Sequence, residues 1–197
     1  MSQRIGGRQL HIEAPRLEDA SRLNQIRGAG WRQAYARLPG VSPEWLAAEI
    51  DTITDAYANA LRVTRIIDTQ DKVSARHYRV ARLVDTRGRV SPPIGFIEGR
   101  KGVIFQQQAF QELHTLQVVR RYQSHGIGSL LLRQLDEWLD PTQPTMVQVA
   151  HETPARGFYE RHGFEDCGLR EDFGPVLMNI MIRPPQLTLG SLFTDKG

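Results

Sequence analysis

The sequence predicts an α/β domain built on a mixed, mostly antiparallel sheet of six to seven strands flanked by helices. Apolar residues alternate with a period of two in several short segments and follow a helical period in others. These segments follow one another as strand, two helices, three strands, helix, strand, helix and two strands, an order typical of a mixed sheet. With 197 residues and one cysteine, the chain suits a single domain at residues 1–183, followed by a tail at residues 184–197.

The N-terminal part of the chain predicts one strand and two helices. Gln9–Ala14 has the alternation of a strand, and the apolar spacing of Pro15–Leu38 is helical. Gly28 and Gly30 are expected to interrupt that first helix, because glycine lowers helix stability. A second helix is expected to begin at Ser42, since serine is a favoured N-cap and the following proline is tolerated in the first turn.

The rest of the chain alternates between the two periods. Three strands that suit an antiparallel meander are predicted at His77–Asp85, Pro93–Arg100 and Phe110–Val119. The clearest apolar helix face belongs to Gly126–Leu139. A strand, a capped helix and two final strands are predicted at Met146–Ala150, Thr153–Gly163, Phe164–Leu169 and Val176–Ile182. The last strand is almost wholly apolar, so we expect it to be buried on both faces.

A short glycine-containing turn at Ser124–Ser129 joins a predicted strand to the best helix of the chain. The first N–H groups of a helix have no partner within the helix, and glycine allows an anion to approach them closely. Arg120, Arg121 and His125 would add positive charge. The turn is therefore a candidate diphosphate site. A plain strand-to-helix turn with glycines for packing explains the same spacing equally well.

Two sequence blocks give this turn a more specific interpretation. Gln123–Gly128 resembles the Q/R-x-x-G-x-G/A signature of the GNAT superfamily, the GCN5-related N-acetyltransferases. Ala155–Phe164 resembles the A-x-x-F-Y-x-x-x-G-F block of the same family, at the usual distance. The lead-in Leu116–Val118 is similar as well. The two blocks cover residues 112–169, and the predicted element order extends the resemblance to residues 9–183.

The resemblance implies that acetyl-CoA is the co-substrate and that it binds between two splayed strands. One strand would hydrogen-bond the pantetheine arm and the acetyl carbonyl, and the turn would hold the pyrophosphate. The implied cofactor-binding residues are Leu116, Gln117, Val118, Gln123, Ser124, His125, Gly126, Ile127, Gly128, Ser129 and Phe158. Glu152 stands where the family often has asparagine, so this sequence departs from the family pattern at one cofactor contact.

The resemblance also implies two catalytic residues. Tyr159 matches the tyrosine proposed as general acid in the family, and Glu112 matches the glutamate that serves as general base in histone-type members. Packing of a helix face is the alternative for Tyr159, and a solvated position is the alternative for Glu112. On an unbroken strand Glu112, His114, Leu116 and Val118 would share one face, which makes His114 a rival base.

The acceptor would be a primary amine, held opposite the thioester. Trp31 and Tyr35 are one helical turn apart, and together with His114 they are candidates to line the acceptor pocket. Core packing explains the spacing of Trp31 and Tyr35 as well, and we favour it.

Several other site classes are not supported by the motifs. His151-Glu152 begins like the zinc motif H-E-x-x-H, but position 155 is alanine, so no metal is predicted. The P-loop, the dinucleotide fingerprint and the G-x-S-x-G nucleophile motif are absent from the sequence. No stretch has the length of a membrane span. We therefore expect a cytoplasmic enzyme that requires acetyl-CoA and no metal.

The charge pattern leaves two other functions open. The net charge is +3, and arginines are spread along the chain without aromatic residues interleaved, so a nucleic-acid surface is not favoured. An enzyme that acetylates aminoacyl-tRNA remains compatible with the basic composition. A catalytically silent acyl-CoA sensor or partner-binding module is compatible with the position of Glu152. A homodimer is compatible with all of these functions.

Overall fold

The computed structural model describes residues 3–70 and 75–185. The elements are, in chain order, β1 (Arg4–Ile5), β2 (Arg8–Glu13), α1 (Ala20–Tyr35), α2 (Pro43–Gln70), β3 (Arg76–Val84), β4 (Gly95–Phe105), β5 (Gln108–Val118), α3 (Ile127–Asp136), β6 (Thr145–Ala150), α4 (Ala155–Glu160), β7 (Glu165–Phe173) and β8 (Val176–Arg183). One-turn 3-10 helices precede α1 and α3. The last part of the predicted tail, residues 186–197, lies outside the described residues.

The strands form one eight-stranded sheet in the order β1-β2-β3-β4-β5-β6-β8-β7. Neighbouring strands are antiparallel except β5 and β6, which are parallel. The predicted fold class is thereby confirmed, and the predicted β3–β4–β5 meander is present. The sheet has more strands than the predicted six to seven because β1, only two residues long, is too short to show a period of two. None of the described helices is long and apolar enough to cross a membrane.

The helices cover both faces of the sheet. The core cluster beneath α3 contains Ala81 and Ile97, whereas the cluster beneath α1 and α2 contains Val80 and Phe96. Because successive side chains of a strand point to opposite faces, these neighbours assign the two clusters to opposite sides of the sheet. The helix pair α1–α2 therefore faces α3 across the sheet.

Helix α1 is continuous, so the predicted interruption at Gly28 and Gly30 is wrong. A Cβ on Gly28 would lie 3.1 Å from Cγ2 of Ile50, and one on Gly30 would lie 2.0 Å from Oε1 of Gln117. The glycines thus allow α1 to approach α2 and β5 closely. Helix α2 starts as predicted, with the Trp45 amide donating to Ser42 Oγ at 3.1 Å.

The final strand, β8, lies between β6 and β7 and is largely buried, in line with its apolar sequence. Val176 and the run Met178–Met181 are buried, while Leu177 is exposed. The polar exception in the run is Asn179, whose Oδ1 lies 2.8 Å from Nδ1 of His151. Burial on both faces therefore holds for the central part of the strand.

The burial of His77 on β3 predicts that the stability of the fold depends on pH. Its ring is buried and stacks on Trp138, with centroids 4.9 Å apart. Burial, assisted by the charges of Arg79 and Lys101, lowers the pKa of His77 to about 4. Because the unfolded chain takes up this proton near pH 6.5, stability falls as the pH drops from that value towards 4.

We expect the protonation of His77 to lower the free energy of unfolding by about 2 kcal/mol between pH 7 and pH 4.5. Urea unfolding at the two pH values measures the loss. His77→Phe keeps an aromatic ring for the stack and takes up no proton, so its free energy of unfolding is expected to fall less over the same interval. An equal fall in both proteins would contradict the assignment.

Candidate active site

The site lies where the two parallel strands separate. β5 and β6 pair at Gln111–Thr145 and Glu112–Met146, and the ladder ends there. Beyond this point β5 continues to pair with β4, and β6 continues to pair with β8. The two strands therefore diverge and leave a wedge between them. A cavity of about 880 Å³ occupies the wedge and extends to α1 and α2 on one side and to α3 and α4 on the other.

The edge of β5 that faces the wedge offers backbone groups. The Val119 amide donates to the Ile94 carbonyl, on the β4 side of the strand. Since neighbouring residues of a strand point their amides to opposite sides, the N–H groups of Val118 and Leu116 face the wedge. The Val118 carbonyl accepts a hydrogen bond from Gln123 Nε2 at 3.0 Å. This bond ties the strand to the turn that follows it.

A bulge at His114 changes the direction of side chains along β5. The register with β4 shifts by one residue there. As a result Leu113, Leu116 and Val118 all pack with the core beneath α3, whereas on an unbroken strand Leu113 would face the other way. The prediction that Glu112, His114, Leu116 and Val118 share one face is therefore wrong. Glu112 lies on the opposite face, towards α1 and α2.

The turn before α3 presents a run of unpaired donors. No backbone N–H from Ser124 to Ser129 donates to another residue within the described ranges 3–70 and 75–185. Ser124 and Gly126 both have positive φ, 62° and 71°, which gives the chain its sharp bend into the helix. The exposed part of this run is Ser124–Gly126. Amides that converge at a helix N-terminus can hold a diphosphate.

The cavity brings together nearly all of the sequence-predicted site residues. Its lining includes Glu112, Tyr159, Trp31, Tyr35, His114, Leu116, Gln117, Val118, Gln123, Ser124, Gly126, Ile127, Gly128, Ser129 and Phe158. His125 is the exception, because its ring Nδ1 turns back to the Gln123 carbonyl, 2.8 Å away. Its own carbonyl accepts a hydrogen bond from Gln3. Arg120 and Arg121 also lie outside the lining.

Tyr159 is fixed at the α4 side of the cavity. Its ring is 7% exposed and packs edge-on against Phe158 and Phe164, at centroid distances of 5.3 and 5.8 Å. Burial raises the pKa of Tyr159, and the neighbouring Tyr35 raises it further. The phenol is therefore protonated at neutral pH and can act as a proton donor.

Glu112 and His114 form a hydrogen-bonded pair in the cavity wall. Nδ1 of His114 lies 3.2 Å from Oε1 of Glu112, and Nη1 of Arg100 lies 3.9 Å from the other carboxylate oxygen. Burial alone would raise the pKa of Glu112. The hydrogen bond and charge of His114, together with Arg100, outweigh that effect and lower it. Glu112 is therefore ionised and paired.

The opposite side of the cavity is formed by aromatic residues of α1 and β7. The rings of Trp31 and Tyr35 meet at 5.4 Å, and Phe173 lies 5.7 Å from Trp31. Trp31 and Tyr35 thus pack against neighbours and line the cavity at the same time. Other residues of the lining were not predicted as site residues from the sequence; they include Arg27, Gly30, Glu49, Thr115, Tyr122, Val147, Gln148, Arg161, Phe173 and Met178.

Glu152 and the possible metal ligands concern the other kinds of site that were considered from the sequence. Glu152 is exposed and does not contribute to the lining. Among the residues whose side chains the structure describes, there is no group of three or more His, Cys, Asp or Glu side chains that could hold a metal ion.

Comparisons with known proteins agree with this architecture. A family model described as acetyltransferase (GNAT) domain matches residues 76–166. The PaiA N-acetyltransferase from Thermoplasma acidophilum, in complex with coenzyme A, is 19% identical with a TM-score of 0.64, over 89% of this chain and 98% of that chain. The ribosomal-protein-S18-alanine N-acetyltransferase from Escherichia coli is 16% identical with a TM-score of 0.55, over 91% and 96% of the two chains.

A third structure, a GCN5-related N-acetyltransferase from Rhodopseudomonas palustris, is 17% identical with a TM-score of 0.60, over 92% and 98% of the two chains. No curated protein matches the chain. The three structures establish the fold, and the family model spans the turn, Tyr159 and the β5–β6 wedge. Residues 76–166 thus match the acetyltransferase (GNAT) domain, and the chain has the fold of the GNAT N-acetyltransferases.

Proposed function

We propose that the protein transfers the acetyl group of acetyl-CoA to a primary amine by direct attack in a ternary complex, and that residues 1–183 form the single domain that does so. The observation that carries the proposal is the run of unpaired amides from Ser124 to Ser129, which opens into the same cavity as the free edge of β5. One turn and one strand edge thus offer donors for a diphosphate and for an amide-containing arm. The coenzyme A complex of the T. acidophilum structure, which has the same fold, supports this proposal.

The residues present fit acetyl-CoA. The amides of Ser124–Ser129 would hold the pyrophosphate, and the wedge-facing amides of Leu116 and Val118 would hold the pantetheine arm. Gly128 leaves room at the start of α3, where a Cβ would lie 3.3 Å from the Phe158 ring. Bound acetyl-CoA supplies an electrophilic thioester carbonyl. The Val118 N–H is suited to stabilise negative charge that develops on the carbonyl oxygen.

His114 is the group best suited to take the proton of the amine. A lysine-like amine is about 0.04% neutral at pH 7, so a base contributes to the rate. Nδ1 of His114 is engaged by Glu112, which leaves Nε2 as the acceptor. Because the pKa of Glu112 is lowered, its carboxylate is a weak base. Glu112, for which the family resemblance implies the role of base, is better suited to orient His114.

Tyr159 is suited to protonate the departing thiolate, since its burial keeps the phenol protonated. Tyr159→Phe retains the packed ring and removes the proton. We expect it to lower kcat by about 100-fold without changing the affinity for coenzyme A. Tyr122→Phe removes another hydroxyl from the same cavity and serves as the control. Full turnover in Tyr159→Phe, or equal losses in the two variants, would exclude this role.

Release of the coenzyme A thiol from acetyl-CoA, followed across a panel of primary amines, tests the function as a whole. Calorimetry with coenzyme A tests the binding step alone. Binding with turnover of one or more amines is the expected result. Binding without turnover of any amine would favour an acyl-CoA sensor, and absence of binding would overturn both.

A further inference from the structure

Arg27 of α1 lines the cavity but has no role in the proposed binding of acetyl-CoA or in the proposed proton transfer. Its guanidinium carbon lies 5.6 Å from the centroid of the Trp31 ring and 5.6 Å from that of Tyr57. The residue is half-buried and lines the cavity. No described carboxylate lies within ion-pair distance of it, and its buried Nε has no hydrogen-bond partner among the described residues.

The other arginines that are largely buried have acidic partners. Arg82 pairs with Asp19 and Glu13, and Arg183 pairs with Asp136. Leaving a partly desolvated guanidinium without a partner is unfavourable, and binding of an anion would offset that cost. Among the residues that the structure describes, this contrast marks Arg27 as a half-buried guanidinium without an acidic partner, and hence as a candidate site for an anion.

The guanidinium is also held ready for a planar anion. Two aromatic rings lie close to the guanidinium and limit its movement, so less conformational freedom is lost when a carboxylate binds. A guanidinium offers paired donors that match the two oxygens of a carboxylate. The same arrangement would not favour the binding of a cationic or purely apolar ligand.

The position of Arg27 assigns the anion to the acceptor side of the cavity. Arg27 and Trp31 lie on α1, on the face of the sheet opposite α3 and its diphosphate turn. The charge of Arg27 reaches Tyr35, whose pKa it lowers against the larger, raising effect of burial. Trp31, Tyr35 and Phe173 provide a flat apolar wall beside it. An anionic group of acetyl-CoA held by the turn would lie at the other side.

We infer, on the basis of the proposed function, that the acceptor is an amine of the amino-acid type, with a carboxylate bound by Arg27 and an aromatic body packed on Trp31, Tyr35 and Phe173. Glu49, also in the lining, is the group that would favour a second ammonium instead. A diamine is therefore the competing acceptor.

Matched pairs of acceptors test the carboxylate. Phenylalanine, tyrosine and tryptophan are compared with phenethylamine, tyramine and tryptamine, and with a linear diamine, in the thiol-release assay. We expect kcat/KM to be about 10- to 100-fold higher for the carboxylate-bearing member of each pair, mainly through KM. In Arg27→Met, which keeps the stem and removes the charge, this preference is expected to disappear while KM for acetyl-CoA stays the same.

Arg161→Met is the matched control, because Arg161 lines the same cavity from the α4 side. It is expected to retain the preference for the carboxylate. Calorimetry of phenylalanine and phenethylamine with the coenzyme A complex gives a readout independent of turnover. In this measurement phenylalanine is expected to bind the wild-type protein more tightly than phenethylamine does, and this difference is expected to be absent in Arg27→Met.

Equal kcat/KM values within each pair, a preference for the diamine, or an unchanged preference in Arg27→Met would overturn the inference and leave the proposed acetyltransferase intact. Failure to bind coenzyme A would instead overturn the proposed function. If coenzyme A binds and no amine reacts, calorimetry of phenylalanine and phenethylamine still tests the inference. Equal binding of the two compounds to the wild-type complex would then overturn it.

Discussion

Replacing His114 by asparagine is expected to lower kcat by about 100- to 1,000-fold at pH 7, with KM for acetyl-CoA changed by less than about twofold. The asparagine removes the ring nitrogen that we propose accepts the proton of the amine, and it does not alter the turn proposed to hold the diphosphate. The loss is expected to shrink as the pH approaches the pKa of the amine, about 10.4 for a lysine-like acceptor, because a neutral amine needs no base. Steady-state rates between pH 6 and pH 10 measure both effects.

Glu112→Gln distinguishes the two members of the pair. Glutamine keeps the size of the side chain and an oxygen that accepts the His114 Nδ1 hydrogen, but it carries no charge. If Glu112 orients His114, the variant is expected to lose about 10-fold in kcat, well short of the loss in His114→Asn. If Glu112 is itself the base, Glu112→Gln will lose as much as or more than His114→Asn, and our assignment of roles will be wrong.

A negative charge placed in the turn before α3 is expected to abolish most of the affinity for coenzyme A. We expect Gly126→Asp to weaken binding by about 100-fold relative to Gly126→Asn, because a carboxylate a few ångströms from a diphosphate is repelled by about 3 kcal/mol at an effective dielectric constant of 20. The two side chains have the same shape. Both residues tolerate the left-handed conformation that Gly126 adopts, with φ of 71°.

Calorimetry with coenzyme A at low and high salt measures this difference, which is expected to narrow as salt screens the repulsion. Thermal unfolding without ligand is the control. Aspartate at a helix N-cap favours the helix, so Gly126→Asp is expected to be at least as stable as Gly126→Asn. Equal coenzyme A affinities in the two variants would show that the diphosphate does not lie at this turn.

The elements that the sequence predicts well are those with a local cause. Ser42 caps α2 through a hydrogen bond to the amide three residues later, and such a bond requires only neighbours in sequence. The period of two in β3, β4 and β5 likewise follows from alternation along each strand. The predicted break in α1 failed because glycine lowers helix stability locally, whereas the contacts of Gly28 and Gly30 with distant residues favour the helix.

The bulge at His114 could not be predicted from the sequence. Nothing in the residues around it distinguishes a bulged strand from a regular one, because the extra residue is accommodated by the register with β4. The bulge decides which side chains of β5 face α1 and which pack beneath α3. The pairing of His114 with Glu112, and hence the choice between two candidate bases, therefore came from the tertiary structure.

The sequence by itself determined the local elements of the proposed cofactor side of the site. A strand, a turn with glycines and an amphipathic helix follow one another within residues 112–139, and their donors are backbone groups whose direction follows from local conformation. Only the tertiary structure decided how the proposed acceptor side is assembled, where Trp31 of α1 meets Phe173 of β7 and Arg27 lines the same cavity. Side chains so distant in sequence come together through packing of whole elements, and no periodicity within one segment records that packing.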